Sequence, residues 1–202
     1  MTILYIKSKY QNMKKILLTL VSLLTLFSCT EKAPIGKLTQ SGLDKKNFET
    51  TVGDKKTDLY VLTNTNGMEV CITNFGGRIV SIMVPDKDGN LKDVVLGFDS
   101  VQDYINIPSD FGAAIGRYAN RIGHGTFELD GVKYDLPKNN FGHTLHGGPK
   151  GFQYVTFAAS QVDDKVLELT YTAKDGEEGF PGNLNCKITY ILSEDNAIQI
   201  KY

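Results

Sequence analysis

The sequence predicts an all-β fold, a large antiparallel β-sandwich. Short alternating or β-rich segments recur from residue 59 onwards, and turn sequences such as Asn66-Gly67 and Asp130-Gly131 separate them. No segment after residue 30 keeps a helical period over three turns, and only residues 100–105 are expected to form a helical turn. Many short strands joined by glycine-containing turns are typical of sandwiches and barrels.

The expected strands follow one another along the chain with polar turns between them. In residues 68–73, for example, Met68, Val70 and Ile72 alternate with their neighbours, as in a strand with one buried face. The strands are expected at 59–62, 68–73, 78–84, 94–97, 125–129, 132–136, 152–160, 166–173, 184–192 and 197–202. The last one reaches the final residue, so we expect a truncated sandwich with an open edge that favours a partner strand.

Composition and charge exclude several classes of protein. The chain has 202 residues, 41% of them apolar and 22% charged, which is enough for one ordinary core and argues against disorder. The net charge of -1 offers no basic excess for nucleic acid. The sequence contains no CxxC pair, which argues against a zinc ribbon or a thioredoxin-like site.

Residues 1–28 are expected to be a signal peptide, with Met13 as the better start. Lys14 and Lys15 precede an apolar run of 12 residues, 16–27, which is short of the ~20 that a spanning helix needs. Ser28-Cys29 then resembles the lipobox of bacterial lipoproteins, which implies a lipid anchor to the membrane at Cys29. We therefore expect a lipoprotein of the bacterial cell envelope, periplasmic or in the outer membrane. An ordinary signal peptide with an incidental cysteine is the alternative.

The remainder of the chain divides into a tether and a domain. Residues 29–57 are expected to be a polar tether, and residues 58–202 to form the β-sandwich. The other two cysteines, Cys71 and Cys186, lie on expected strands. An export compartment permits a disulfide between them, and two separate buried thiols are the alternative.

All three histidines lie between residues 124 and 146. His143 and His146 stand in a segment that glycines frame on both sides, where the backbone can approach a ligand closely. Residues three apart in an extended segment face opposite sides, so these two histidines are not expected to share a metal. One functional histidine in this loop is favoured over a metal site, and a purely structural pair is the alternative.

Two further motifs carry charged side chains. GRYANRI (residues 116–122) holds Arg117, Asn120 and Arg121, which offer donors to polyol or carboxylate oxygens, or form a salt-bridged surface strand. DGEEGFPG (residues 175–182) holds three carboxylates, but its spacing does not fit an EF-hand loop. We expect it to be a solvated connection between strands.

Together these motifs resemble the aldose 1-epimerase (galactose mutarotase) family. GRYANRI, the segment NN..HTLHGG..GF (139–152) and DGEEGFPG follow in order, and residues 74–100 resemble the upstream part of the family. The resemblance implies a β-sandwich whose open face binds a monosaccharide, without cofactor or metal. It assigns Asn120 and Arg121 to the sugar hydroxyls and His146 to a contact near the sugar ring, whereas His124 and His143 have no counterpart.

The implied reaction is the interconversion of the α and β anomers of a hexose such as galactose or glucose by acid–base ring opening. In the family, the base is a glutamate near the C-terminus and the acid is a second histidine in an Asn-His segment, and neither has a match in these 202 residues. We therefore expect the chain to be an incomplete, N-terminal fragment with part of the active site. A non-catalytic carbohydrate-binding module and an inactive remnant are the alternatives.

Overall fold

The structure, a computed structural model, describes residues 38–202. The expected signal peptide 1–28, the start at Met13 and the lipidation site Cys29 lie outside the described residues. Two four-stranded antiparallel sheets and three two-stranded ribbons make up the described part. Its longest helix has six residues, and none there has the length and apolar character to cross a bilayer.

Within residues 38–202 the strands are accompanied by one α-helix and four short 3₁₀ turns, the first of which precedes β1. The strands are β1 (Thr50–Val52), β2 (Lys55–Thr57), β3 (Leu59–Thr63), β4 (Glu69–Thr73), β5 (Arg78–Pro85), β6 (Leu91–Asp93), β7 (Arg121–Ile122), β8 (Thr126–Leu129), β9 (Val132–Asp135), β10 (Thr144–Leu145), β11 (Ala158–Asp163), β12 (Val166–Ala173), β13 (Leu184–Leu192) and β14 (Ile198–Lys201). The helix is α1 (Val101–Asn106), and the 3₁₀ turns are Lys45–Phe48, Gly123–Gly125, Phe152–Tyr154 and Glu177–Gly179.

Two sheets enclose the main core. Sheet 1 has the order β3-β4-β5-β6 and sheet 2 the order β11-β12-β13-β14. Alternate residues of β13 point inwards, so Ile188, Tyr190 and Leu192 are buried while their neighbours are not. They pack with residues of sheet 1 such as Val70 and Ile72. This is the sandwich packing that the alternation predicts.

Sheet 1 is covered on its other face as well. All five residues of β4 are buried, because Cys71 packs into a second cluster with Phe48 and Tyr104 while its neighbours on β4 face the main core. Phe48 comes from the 3₁₀ turn Lys45–Phe48 and has no exposed surface. Residues 38–57 thus pack onto the domain, so the expected polar tether does not describe this part. Its earlier part lies outside the described residues.

Most expected strands are confirmed, including those at 59–62, 166–173 and 184–192. The one expected at 152–160 is confirmed only at its end, because Phe152–Tyr154 form a 3₁₀ turn and β11 begins at Ala158. The helical turn is confirmed as α1, whose N-terminus is capped by the Ser100 hydroxyl accepting the Asp103 N–H at 3.1 Å. The strand expected at 94–97 is wrong. β6 ends at Asp93, whose carboxylate accepts the N–H groups of Ile82 and Val95. Of the segment itself, the Val94 N–H still donates to the Ile82 carbonyl, at 3.1 Å.

The two cysteines are free thiols that belong to different clusters. Cys71 is buried against the cluster that contains Phe48, and Cys186 packs partly buried against the main core. Burial raises the pKa of the Cys71 thiol to about 12, with a further contribution from the charge of Glu69. In this structure the two thiols are therefore separate, and burial favours the neutral form of the Cys71 thiol.

A buried carboxylate beside Cys71 gives a pH-dependent prediction. Glu69 is 5% exposed, and within residues 38–202 no lysine or arginine forms an ion pair with it. Its Oε1 accepts the Gln40 N–H at 2.8 Å, but burial outweighs this contact and raises the pKa of Glu69. Since the folded chain then holds the proton more tightly than the unfolded chain, ionisation of Glu69 costs stability as the pH rises through the folded-state pKa.

Replacing Glu69 with glutamine keeps the acceptor oxygen and removes the charge. We expect Glu69→Gln to match the original chain in free energy of unfolding at about pH 4 and to exceed it at about pH 7. Urea unfolding at both pH values measures this, with the exposed Glu128→Gln as control. A difference that does not grow with pH contradicts the account.

Candidate functional site

A short ribbon brings two of the sequence motifs together. β7 pairs antiparallel with β10, and the register places Arg121 opposite Leu145. Asn120 precedes β7 and His146 follows β10, so both lie at the same end of the ribbon. The three residues that the resemblance assigns to the sugar are therefore neighbours, although 25 residues separate Arg121 from His146 in sequence.

Asn120 and His146 bind each other twice. The His146 N–H donates to the Asn120 carbonyl at 3.0 Å, and the Asn120 N–H donates to Nδ1 of the His146 ring at 3.0 Å. A backbone N–H can only donate, so Nδ1 carries no proton, and in the neutral ring the proton is on Nε2. The backbone thereby fixes the tautomer of His146 and leaves Nε2–H as a donor for a ligand.

Two asparagine side chains orient Arg121. Its Nε donates to Oδ1 of Asn140 at 2.9 Å, and one terminal nitrogen donates to Oδ1 of Asn120 at 3.3 Å. A guanidinium has five N–H groups in a fixed plane. The exposed Arg121 therefore keeps donors free for the oxygens of a ligand while its plane is held in place.

The backbone around the site has strained conformations that hydrogen bonds hold in place. Asn120 and His146 both adopt left-handed conformations, with φ of 65° and 53°. Such conformations cost about 1–3 kcal/mol each and persist only where the surroundings impose them. The Asn139 side chain does this for the histidine loop, because it donates to the Leu145 carbonyl at 3.1 Å and accepts the Leu145 N–H at 2.7 Å.

The glycines after His146 have a packing role. A Cβ at Gly147 would lie 1.7 Å from the Gly116 carbonyl oxygen, and one at Gly151 would lie 2.3 Å from that of His146. These glycines let the histidine loop approach the backbone of GRYANRI. In this structure, the close approach that these two glycines permit is one within the chain.

His146 and Arg121 open onto different cavities. His146 lines one of about 420 Å³, together with Asp110 and Tyr154. Arg121 lines another of about 630 Å³, which includes Phe127. Both volumes are in the range of small-molecule sites, about 300–1,000 Å³.

Asp110 and Tyr154 are site residues that sequence reasoning does not single out. No motif marks them, and their proximity depends on how distant loops fold together. Burial, and secondarily the charge of Asp110, raises the pKa of the Tyr154 hydroxyl. Tyr154 therefore remains a neutral hydroxyl in the His146 cavity at physiological pH.

The other two histidines form a separate pair. His143 accepts the His124 N–H on Nδ1 at 2.9 Å, and the two rings lie 5.3 Å apart between centroids. Neither lines the cavity of His146. Over residues 38–202, no three His, Cys, Asp or Glu side chains group as ligands of a metal. His124 and His143 therefore contact each other and not His146.

The acidic motif is more than a solvated connection. Glu177 accepts the Tyr171 hydroxyl at 2.8 Å, and Glu178 accepts the Lys150 N–H at 3.1 Å. Both glutamates are partly buried, and Phe180 is 7% exposed. Residues 175–182 connect β12 to β13 as expected, and Asp175 and Gly182 are exposed, but the two glutamates are used in contacts within the fold.

Comparison with known proteins places the chain among sugar epimerases. Residues 58–202 match the model of the family described as Aldose 1-epimerase. Galactose mutarotase of Bos taurus is 43% identical over 125 residues, which are 62% of this chain and 36% of that protein. Aldose 1-epimerase of Escherichia coli (strain K12) is 35% identical over 144 residues, 71% of this chain and 42% of that protein. The chain spans less than half the length of these relatives.

The fold agrees with this match. A solved GalM/aldose epimerase homologue from C. elegans has a TM-score of 0.69 and 30% sequence identity, over 71% of this chain and 44% of that chain. This likeness confirms the predicted antiparallel β-sandwich. The family match covers most of the described residues and includes all three motifs. The chain belongs to the aldose 1-epimerase family.

Proposed function

We propose that this chain carries the sugar-binding part of the active site of an aldose 1-epimerase, which interconverts the α and β anomers of a hexose such as galactose or glucose. The observation that carries the proposal is the contact from the Asn120 N–H to Nδ1 of His146, at 3.0 Å. It leaves Nε2–H free as a donor on a residue that lines a cavity. Family membership supports the reaction class.

The reaction itself needs a proton removed and a proton supplied. A base takes the proton of the C1 hydroxyl while the ring oxygen gains one, and the bond between C1 and that oxygen breaks to give the open aldehyde. Rotation about the C1–C2 bond and reclosure on the other face then yield the second anomer. We assign His146 Nε2–H to a hydrogen bond near the ring oxygen, and the free donors of Asn120 and Arg121 to hydroxyls of the sugar.

We further propose that a general base and a second histidine acid belong to the part of the enzyme that corresponds to the rest of the longer relatives. The matched segments are only 36% and 42% of those proteins. Glu177 and Glu178, the carboxylates of the third motif, are engaged by Tyr171 and Lys150 and are poor substitutes for a base. This chain would accordingly bind the sugar and leave most of the acid–base work to other residues.

Titration calorimetry with galactose, combined with polarimetry, tests the proposal on the 202-residue chain. We expect saturable binding of galactose, at least about tenfold tighter than that of the acyclic galactitol, with a mutarotation rate close to that of buffer. Absence of binding overturns the assignment of the sugar site. Fast mutarotation by the chain overturns the placement of the acid and base elsewhere.

The sequence also supports a proposal on location. We propose that Cys29, directly after the apolar run and Ser28, carries a lipid that anchors the protein in the bacterial cell envelope. Expression in bacteria fed labelled palmitate tests this. The original chain should take up label and sediment with membranes, and Cys29→Ser should do neither. Equal behaviour of the two proteins contradicts the anchor.

A further inference from the structure

Three sequence motifs hold one another in a closed ring of contacts. The first motif is residues 116–122, the second 139–152 and the third 175–182. Arg117 of the first motif binds the third, Glu178 of the third binds the second, and His146 of the second binds the first. The sugar-binding residues belong to the first and second motifs, so the third is the member whose role the proposed function leaves open.

Arg117 fixes the third motif from one side. Its guanidinium donates to the carbonyl oxygens of Pro181 at 2.9 Å, Gly182 at 2.8 Å and Lys174 at 2.7 Å. These carbonyls lie at the two ends of the acidic loop, so the Arg117 guanidinium links the two ends. On the inner side, Glu177 accepts the Tyr171 hydroxyl at 2.8 Å. The loop is therefore held at its ends and at its middle.

Glu178 extends from this loop to the histidine turn. Its Oε2 accepts the Lys150 N–H at 3.1 Å. A Cβ at Gly148 would lie 2.5 Å from the same oxygen, so the carboxylate occupies the space that a side chain at position 148 would need. Glu178 itself has a left-handed backbone, with φ of 51°. The contact of this carboxylate with the Lys150 N–H is thus made from a strained backbone conformation.

The turn that Glu178 contacts is the one that carries His146. The Gly148 N–H donates to the Leu145 carbonyl at 3.1 Å, and the Gly151 N–H donates to the Gly148 carbonyl at 3.1 Å. His146 lies inside the first of these turns with a left-handed φ of 53°. A displacement of Gly148 or Lys150 is therefore transmitted through the backbone to the histidine.

We propose that Glu178 is a positioning residue, which holds the turn 147–150 so that His146 keeps its contact with Asn120 and presents Nε2–H to the sugar. This inference rests on the proposed function of His146. It gives the third motif a role as a brace, in which Arg117 fixes the loop and Glu178 fixes the turn. Neither side chain needs to touch the sugar.

The test compares Glu178→Ala with Glu178→Gln in the 202-residue chain, with galactose as the probe. The alanine variant should bind galactose at least about tenfold more weakly, because the charged acceptor of the Lys150 N–H is lost. The glutamine variant keeps an acceptor oxygen and should stay within about threefold of the original. Glu128→Ala, an exposed position on β8, is the control and should be unchanged.

A double-variant cycle separates positioning from general loosening of the fold. If Glu178 acts through His146, Glu178→Ala should weaken binding no further in a chain that already carries His146→Ala. Equal weakening in both backgrounds overturns the proposal, and so does an unchanged affinity in the single variant. The residual binding of His146→Ala is measured at high galactose concentration.

A second readout does not depend on sugar binding. The ¹⁵N shifts of the His146 ring report which nitrogen carries the proton. In the original chain they should show Nε2–H with an accepting Nδ1, and in Glu178→Ala they should move towards a mixture of the two tautomers. Unchanged ring shifts in Glu178→Ala overturn the positioning role of Glu178. If the original chain binds no galactose while the ring shifts still change in Glu178→Ala, the proposed function is wrong and the positioning role of Glu178 is supported.

Discussion

Replacing His146 with alanine is expected to lower the affinity of the chain for galactose by about 1–3 kcal/mol, which is about five- to 150-fold. The substitution removes the Nε2–H donor. It also leaves the Asn120 N–H without its acceptor, since this N–H donates to Nδ1 of the ring. Both losses fall on the same site, so the effect should exceed that of one exposed hydrogen bond. Titration calorimetry measures the change.

The chain offers a matched control for this variant. His143 lies in the same loop and makes the same kind of contact, an Nδ1 that accepts a backbone N–H, here that of His124 at 2.9 Å. It does not line the His146 cavity. His143→Ala should therefore leave the affinity for galactose unchanged. An equal loss of affinity in the two variants would mean that the conformation of the loop, and not the His146 ring, determines the affinity for galactose.

Arg78→Met is expected to destabilise the fold by at least about 3 kcal/mol. Arg78 has no exposed surface, and burial lowers its pKa. Its guanidinium donates to the carbonyl oxygens of Ser109 at 2.9 Å, Phe111 at 3.0 Å and Gln153 at 2.9 Å. Methionine fills much of the volume but leaves all three carbonyls without this donor. Urea unfolding measures the loss.

The lysine variant separates charge from geometry. Arg78→Lys keeps the positive charge but replaces the planar fork with a single ammonium, which cannot reach all three carbonyls in the same way. Its stability should lie between those of the original chain and Arg78→Met. A methionine variant as stable as the original would contradict this account, since it would mean that the desolvation cost of the guanidinium equals the benefit of its contacts.

Much of the sandwich can be predicted from the sequence, because alternation is a local property. β12 and β13 show it clearly and are the longest correctly predicted strands. The apolar residues of 94–97 suggest burial and hence a strand, yet Val94 is 63% exposed and Leu96 74%. The carboxylate of Asp93, where β6 ends, accepts two backbone N–H groups, and such contacts are not visible in a hydrophobicity pattern.

The packing of residues 38–57 is not visible in their composition for a similar reason. This segment is polar overall, so its composition indicates a tether. Two of its apolar side chains, Leu43 and Phe48, are nevertheless buried in the second cluster. Composition averages over a segment and so does not detect a few anchoring residues.

The residues of the candidate site could be predicted from the sequence, but the contacts that hold them could not. Resemblance to the family supplied Asn120, Arg121 and His146, and the pairing of β7 with β10 brings them together. The contacts that hold them, such as those from Arg121 to Asn140 and from Asn120 to His146, join residues 19 and 26 apart in sequence. No spacing rule predicts such contacts, because they depend on how separate loops pack on the sandwich.

The central claim is that Asn120 and His146 together bind a sugar, and an NMR titration tests it most directly. Galactose is added to the ¹⁵N-labelled chain while the Asn120 amide and the His146 ring nitrogens are followed. The account predicts that both respond with one common dissociation constant, that Nδ1 remains an acceptor, and that the His143 ring does not respond. Galactose-dependent shifts that leave the Asn120 amide and the His146 ring unchanged, or no shifts at saturating galactose, would contradict it.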